Sequence, residues 1–190
     1  MVRRRQHDRG HGHPAGRKKG VDLALDAARF FPGVPARLVV LGAGDKALAQ
    51  RAREYAVAAP DRIAFIEGYD DAFGHRIFAG ADLFMMPSRF EPCGLAQMQA
   101  MAYGTIPVTT DVGGLHDTVV DDDQARGRGN GFVSRSVDSA GMVDALHRAA
   151  RAVKQPARRR AIERRGMTTD WSWTQPAHEH IEIYRELLTR

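Results

Sequence analysis

Short apolar runs alternate with stretches of helical periodicity along most of the chain, and this alternation limits the possible folds most strongly. A clear example is the apolar run Leu83–Met86. It ends at Pro87, which cannot donate a hydrogen bond to a strand ladder. A helical pattern then runs from Leu95 to Gly104, a residue type common just after a helix. Repeated strand–helix units predict an α/β fold, with a Rossmann-like parallel sheet covered by helices on both faces.

The same patterns place the individual elements. We predict strands at 37–42, 63–66, 83–86, 106–109 and 130–133. We predict helices at 21–31, 47–59, 72–81, 95–103, 115–120, 138–154, 158–166 and 176–188. Residues 121–128 are polar and are expected to form a loop. A chain of 190 residues is long enough for one such domain and too short for two.

The positive charge is concentrated at the start of the chain. The first 20 residues contain seven Lys or Arg and one Asp, so the net charge of +5 leaves the remainder close to neutral. We predict a basic, disordered segment at 1–17 and a folded domain at 18–190. No aromatic residue is interleaved for stacking on bases, and no Cys or carboxylate pattern completes a metal site with His7, His11 and His13. We therefore expect neither nucleic acid nor a metal as a partner.

Composition also indicates the cellular compartment. No run of eighteen apolar residues is present, so we expect no membrane partner, and no apolar stretch follows the basic start as in a signal peptide. The single cysteine rules out an internal disulfide and fits a reducing compartment. These features predict a cytoplasmic protein.

A glycine motif supports a competing function. Gly42-Ala43-Gly44-Asp45-Lys46-Ala47 has the G-x-G-x-x-A spacing of a dinucleotide-binding turn, and Glu67 ends the next predicted strand. An acidic residue at that distance binds a ribose hydroxyl in such proteins. An NAD-dependent oxidoreductase is therefore one hypothesis. The alternative is a glycine turn that only joins a strand to a helix.

The loop after the 83–86 strand contains the strongest candidate site. In an open α/β sheet, this loop lies at the carboxyl edge where ligands bind, beside a helix N-terminus that favours phosphate. Glu91 is its carboxylate, and Asp111 with Gly113-Gly114 follows the next strand at the same edge. Cys93 precedes the helix and could be a nucleophile, with His75 or His116 as its base. The alternative for Cys93 is a small residue that shapes the loop.

Several strings in this sequence resemble bacterial glycogen synthase and plant starch synthase. They are Gly68-Tyr69, Ala79-Gly80-Ala81-Asp82, Ser88-Arg89-Phe90-Glu91-Pro92-Cys93-Gly94-Leu95, Gly113-Gly114-Leu115-His116-Asp117-Thr118-Val119, Gly129-Asn130-Gly131-Phe132 and Trp171-Ser172-Trp173. The resemblance runs from about residue 18 to the end of the chain, which implies a nucleotide-sugar-binding domain at 18–190 after a divergent segment at 1–17. The Ser-Arg-Phe-Glu-Pro-Cys-Gly-Leu string is highly specific to this family.

The resemblance implies the C-terminal, donor-binding half of a GT-B glycosyltransferase. Such an enzyme is retaining and transfers glucose from ADP-glucose to the non-reducing end of an α-1,4-glucan. It implies no cofactor and no metal. The acceptor glucan would bind mainly to an N-terminal domain that this chain does not resemble.

The same resemblance assigns roles to individual residues. Glu91 would contact the donor glucose, and Lys19 would neutralise the leaving diphosphate. Tyr69 would lie against the adenine. The backbone N–H groups of Cys93, Gly94 and Leu95 would hold glucose hydroxyls and the distal phosphate. Gly113 and Gly114 would allow close backbone approach to the donor.

One position departs from the family. The family has an arginine five residues before the lysine, at the end of the domain's first strand, whereas this chain has Pro14 there. Without that arginine, negative charge on the departing diphosphate is poorly countered. A non-catalytic or truncated nucleotide-sugar-binding domain is therefore the alternative function. The oxidoreductase ranks third, and we expect the isolated chain to be inactive as a fragment.

Overall fold

The computed structural model describes residues 18–29 and 36–189. The strands are β1 (Leu38–Gly42), β2 (Ile63–Glu67), β3 (Leu83–Met86), β4 (Ile106–Thr110) and β5 (Phe132–Ser134). The helices are α1 (Val21–Ala28), α2 (Lys46–Ala58), α3 (Asp71–Gly80), α4 (Ala96–Ala102), α5 (Gly114–Thr118), α6 (Ser139–Val153), α7 (Pro156–Thr168) and α8 (Thr174–Leu188). The predictions for residues 1–17 and for Phe30 and Phe31 lie outside the described residues.

The strands are all parallel, as predicted, and among the described residues they pair in two groups. β1 pairs with β2 in one sheet, and β3, β4 and β5 follow one another in the second. Within residues 18–29 and 36–189, no strand joins β1 to β3. Helices surround both sheets, so the α/β class is confirmed. The order of the strands was not part of the prediction, because apolar patterns identify strands but not which strands are neighbours.

The core lies between the second sheet and three helices. All five residues of β4 are buried, as expected for a central parallel strand. Phe132 of β5 is fully buried and packs with residues of α1, α6 and α7. The buried members of this core are Ala27, Ile106, Val108, Phe132, Met142, Ala145, Ala149, Ala152 and Ile162.

The segment predicted as a polar loop contains a buried ion-pair cluster. Asp121 and Arg148 are each 5% exposed, and their side chains lie 2.8 Å apart. Asp122 pairs with Arg158 and Arg165, and Asp123 pairs with Arg148 and Arg158. Since Arg148 belongs to α6 and the other two arginines to α7, these pairs attach both helices to the loop. Charge spacing alone did not reveal this cluster, because the partners are 25 to 43 positions apart.

The cluster predicts loss of stability in acid. Burial acts to raise the pKa of Asp123, but hydrogen bonds from Arg158 and Arg148 outweigh it and hold that pKa below its usual range. The carboxylate therefore stabilises the fold above the unfolded pKa of about 4, and this contribution disappears as pH falls through the lower folded pKa. Urea unfolding of the wild type and Asp123→Asn should show a stability gap at pH 6 that narrows towards pH 3. A gap that is independent of pH would contradict this assignment.

The last helix differs from the others in having its apolar side chains in solvent. Apart from Pro176, every residue of α8 is exposed, including Ile181, Ile183 and Tyr184. Among the described residues, no helix is both apolar and long enough to cross a membrane.

Candidate functional site

The loop that follows β3 holds a buried carboxylate. Glu91 is 6% exposed, and its Oε2 forms an ion pair with the Nζ of Lys19. The Ser88 hydroxyl lies 3.4 Å from the same oxygen. The Lys19 side chain is half-exposed, whereas that of Glu91 is buried. The structure thus places together the two residues predicted as catalytic, although 72 positions separate them.

Backbone contacts fix the lysine in this position. The N–H groups of Arg89 and Phe90 donate to the carbonyl oxygen of Lys18, at 2.8 and 3.3 Å. Gly20 then adopts φ +65°, and a Cβ there would lie 1.8 Å from the Pro87 oxygen. Only glycine allows this approach of the two backbones. Lys19 is therefore anchored to the loop on both sides.

A side-chain ion pair supports the same junction. The Arg89 guanidinium donates to both carboxylate oxygens of Asp22, at 2.7 and 2.8 Å. This two-point geometry is the strong form of an Arg–carboxylate pair. It links the loop after β3 to the first turn of α1. Sequence reasoning missed this pair and the Ser88 contact, and neither has a signal in local spacing.

The Gly113-Gly114 pair lies directly against the Glu91 loop. The N–H of Gly114 donates to the Glu91 carbonyl oxygen at 3.0 Å. A Cβ on Gly113 would lie 2.0 Å from that oxygen, and one on Gly114 would lie 1.9 Å from the Cys93 oxygen. We predicted that these glycines lie near Glu91, and the structure confirms it. Their close approach is to the loop backbone, which they hold in place.

Three backbone donors beyond Glu91 are available to a ligand. The N–H groups of Cys93, Gly94 and Leu95 donate no hydrogen bond to any of the described residues. Gly94 has φ +71°, and α4 begins just beyond, at Ala96. A left-handed glycine before a helix N-terminus gives successive N–H groups that favour an anion or a hydroxyl oxygen.

The Gln97 side chain packs against this turn. The side chain is fully buried, and its amide nitrogen donates to the Thr118 hydroxyl at 2.9 Å. A Cβ on Gly94 would lie 2.6 Å from the same amide. The other amide atom, Oε1, has no hydrogen-bond partner within the part of the chain that the structure describes. The turn at Gly94 is therefore packed against the buried Gln97 amide. Sequence reasoning did not identify this role of Gln97.

Tyr69 lies at the carboxyl end of β2 and is 84% exposed. Its hydroxyl is 3.4 Å from Asp71, and its ring is free in solvent. Within the described residues, no hydrogen bond joins Tyr69 to Glu91 or Lys19. The structure therefore brings most of the predicted residues together, whereas Tyr69 follows a strand of the other sheet.

The nucleophile hypothesis for Cys93 gains no support from the geometry. Cys93 is exposed. His75 bonds the Tyr103 hydroxyl at 3.1 Å, and His116 bonds the Asp111 carboxylate at 2.6 Å. The Asp111 hydrogen bond raises the pKa of His116. Both candidate bases thus have other partners, and Cys93 is better explained as part of the turn.

The glycine motif after β1 forms a turn with its helix N-terminus already capped. The Asp45 carboxylate accepts hydrogen bonds from the N–H groups of Ala47 and Leu48, at 2.9 and 3.1 Å. These are the groups that a dinucleotide phosphate would need. Glu67, the candidate ribose ligand, pairs with Arg53. The geometry favours the alternative, a turn that joins a strand to a helix.

The chemistry of the Glu91 site follows from its groups. A lysine ammonium and free N–H groups attract phosphate oxygens, and a buried carboxylate accepts hydrogen bonds from hydroxyls. Together they suit a ligand that carries both groups. Within residues 18–29 and 36–189, no cluster of three or more His, Cys, Asp or Glu is placed to hold a metal ion.

Known proteins resemble this chain over nearly its whole length. It is 43% identical over 174 residues to glycogen synthase 1 of Methylococcus capsulatus, covering 90% of this chain and 35% of that protein. It is 41% identical over 175 residues to glycogen synthase of Granulibacter bethesdensis, covering 90% of this chain and 36% of that protein. The chain therefore spans about a third of the length of these relatives.

Solved structures agree on the fold. The catalytic domain of Arabidopsis thaliana starch synthase IV, bound to ADP and acarbose, matches with a TM-score of 0.78 and 34% identity, over 92% of this chain and 37% of that one. Sucrose-phosphate synthase of Thermosynechococcus elongatus matches with a TM-score of 0.65 and 25% identity, over 91% of this chain and 43% of that one. The sequence profile described as glycosyl transferases group 1 matches residues 14–166. The chain belongs to this glycosyltransferase family.

Proposed function

We propose that this chain is the donor-binding part of a retaining glucosyltransferase that uses ADP-glucose to extend an α-1,4-glucan. The observation that carries the proposal is the pairing of buried Glu91 with Lys19, beside the free N–H groups of Cys93, Gly94 and Leu95. A nucleotide sugar has a diphosphate for the cation and the N–H groups, and hydroxyls for the carboxylate. The glycogen synthases and the ADP-bound starch synthase among the matching proteins support this choice of donor.

Each group has a distinct task in this proposal. Lys19 leaves Glu91 and offsets the charge that builds up on the departing ADP. Glu91 then accepts hydrogen bonds from the glucose hydroxyls. The N–H groups at 93–95 bind the remaining hydroxyls and the distal phosphate, and the exposed Tyr69 ring stacks on the adenine. No metal or other cofactor takes part, since the lysine and the backbone donors supply the positive potential.

The acceptor glucan binds elsewhere in this proposal. Glycosyl transfer needs the donor and the acceptor held in line in a site closed to water. The chain spans about a third of the matching glycogen synthases, so we assign the acceptor site to the part that it lacks.

Replacing Glu91 tests the role of the carboxylate. Calorimetry of Glu91→Ala should show ADP-glucose binding weakened by roughly tenfold to a hundredfold, the cost of about 1.5–3 kcal/mol for hydrogen bonds to a charged group. ADP binding should be unchanged or tighter, because the substitution releases Lys19. Glu67→Ala is the matched control, since Glu67 also forms an ion pair with a basic residue, Arg53, but at the surface.

Two outcomes would contradict the proposal. Equal losses for ADP and ADP-glucose would show that Glu91 does not contact the sugar. Binding of NAD in place of both nucleotides would support the oxidoreductase hypothesis instead. Circular dichroism of each variant separates loss of binding from loss of fold.

A further inference from the structure

Two turns meet at the Glu91 loop, and one buried side chain contacts both of the elements that carry them. The first turn, 93–95, follows β3, and the second, Gly113-Gly114, opens α5 after β4. Gln97 lies in the first turn of α4 and is fully buried. Its amide packs against the turn at 93–95 and donates to the hydroxyl of Thr118, the last residue of α5. Gln97 therefore connects the two turns.

The Thr118 hydroxyl extends this connection to the backbone beside Glu91. The hydroxyl donates to the carbonyl oxygen of Gly114 at 2.5 Å. The N–H of Gly114 donates in turn to the Glu91 carbonyl oxygen at 3.0 Å. A continuous chain of hydrogen bonds thus runs from the Gln97 amide through Thr118 and Gly114 to Glu91.

The hydroxyl also fixes the orientation of the Gln97 amide. A threonine hydroxyl has one proton to donate, and here the carbonyl of Gly114 accepts it. The part of the amide that meets Thr118 must therefore be the NH2 group, which leaves Oε1 without this partner. Oε1 is buried and accepts no hydrogen bond from any residue in the part of the chain that the structure describes.

Packing alone does not explain a glutamine at this position. A buried acceptor without a partner lowers stability, whereas an apolar group of the same shape can be neutral or stabilising. Methionine has the same length as glutamine and would leave no oxygen unpaired. What glutamine supplies, and methionine would not, is the hydrogen bond to Thr118.

We propose that Gln97 is a positioning residue for the donor, acting through Thr118 and Gly114. This inference rests on the proposed function, in which the N–H groups at 93–95 bind the distal phosphate. Gln97 holds the turn at 93–95 in register with the backbone of Glu91, so the N–H groups are in place before the donor binds. Preorganisation of this kind removes an ordering cost from binding.

Calorimetry with ADP and AMP tests the positioning role. AMP lacks the distal phosphate, so it makes no use of the N–H groups at 93–95. Gln97→Met should weaken ADP binding roughly fivefold, the effect of about one hydrogen bond, and leave AMP binding unchanged. Thr118→Val should do the same, whereas Thr118→Ser keeps the hydroxyl and should keep the wild-type affinity. The double variant Gln97→Met/Thr118→Val should bind no more weakly than either single variant, because both break the same chain of hydrogen bonds.

Thr105→Val is the matched control, because it also removes a buried threonine hydroxyl that donates to backbone carbonyls, those of Phe78 and Ala81. It should lower stability in urea and leave ADP binding unchanged. Gln97→Met should show the reverse, with stability unchanged or raised and ADP binding weakened. Lower stability of Gln97→Met together with equal losses for ADP and AMP would show that Gln97 only supports the fold, and would overturn the proposal.

Hydrogen exchange of the ligand-free chain separates this test from that of the proposed function. The Gly114 amide should exchange roughly fivefold faster in Gln97→Met and Thr118→Val than in the wild type, and at the wild-type rate in Thr105→Val. Unchanged exchange at Gly114, or unchanged ADP binding in both variants, would overturn the positioning role. A wild-type chain that binds no ADP would contradict the proposed function and, with it, the role of Gln97 in phosphate binding, whereas faster exchange at Gly114 would still support the chain of hydrogen bonds.

Discussion

Replacing Arg148 with alanine is expected to lower the free energy of unfolding by about 3–5 kcal/mol. The Arg148 side chain is 5% exposed and donates to Asp121, Asp123, Asp144 and the carbonyl of Val133. Without it, the Asp121 carboxylate, itself 3% exposed, keeps its backbone hydrogen bonds but loses its buried counter-charge. The loss is large beside the total of about 5–15 kcal/mol typical of a domain.

Urea unfolding followed by circular dichroism measures this loss. Arg151→Ala is the matched control, because Arg151 lies on the same helix with its side chain exposed. The control should change stability by no more than about 0.5 kcal/mol. A loss of less than about 1 kcal/mol for Arg148→Ala would show that water solvates Asp121 or that another cation neutralises it.

The second large effect is the expected absence of glucan synthesis by this chain alone. The chain spans about a third of the matching glycogen synthases, so half of the proposed cleft is not part of it. Pro14 also stands where the resemblance implies an arginine, which leaves Lys19 as the only side-chain cation assigned to the diphosphate. Removing one such contact typically slows a reaction about a hundredfold to a thousandfold, and losing the acceptor site costs more.

Incubation of the purified chain with labelled ADP-glucose and glycogen should therefore give no incorporation above background. Binding of ADP-glucose under the same conditions is the positive control, because it shows that the donor site is intact. Incorporation that disappears in Glu91→Ala would overturn the fragment interpretation. Incorporation that survives in this variant would indicate a contaminating enzyme.

The sequence predicted the elements well where their limits are local. β3 has the predicted bounds, because Pro87 has no N–H to donate to the strand ladder. Helix α2 starts one residue before the prediction, because the Asp45 carboxylate caps it. The division into two sheets was not predictable in this way. It depends on which strand lies beside which, and apolar runs contain no information about their neighbours.

The features of the candidate site were also predictable only where a general rule applied. The proximity of Gly113-Gly114 to Glu91 followed from the rule that parallel strands end at one edge of a sheet. The burial of Glu91 and the contact of Lys18 with Arg89 did not follow from any such rule, because they depend on a junction between distant parts of the chain. Similarly, the sequence predicts an ordinary polar loop where the Asp121–Arg148 cluster lies, since aspartates in a glycine-containing segment usually indicate a turn.

The Lys19–Glu91 ion pair has a consequence for how the proposed site discriminates among small molecules. In the empty site, the ammonium occupies the oxygen that a sugar hydroxyl needs. Free glucose offers nothing to draw the lysine away, so it competes poorly for Glu91. A diphosphate attracts the lysine and so exposes the carboxylate to whatever is attached. The two ends of an intact nucleotide sugar therefore assist each other, and under the proposed function the site favours ADP-glucose over free glucose.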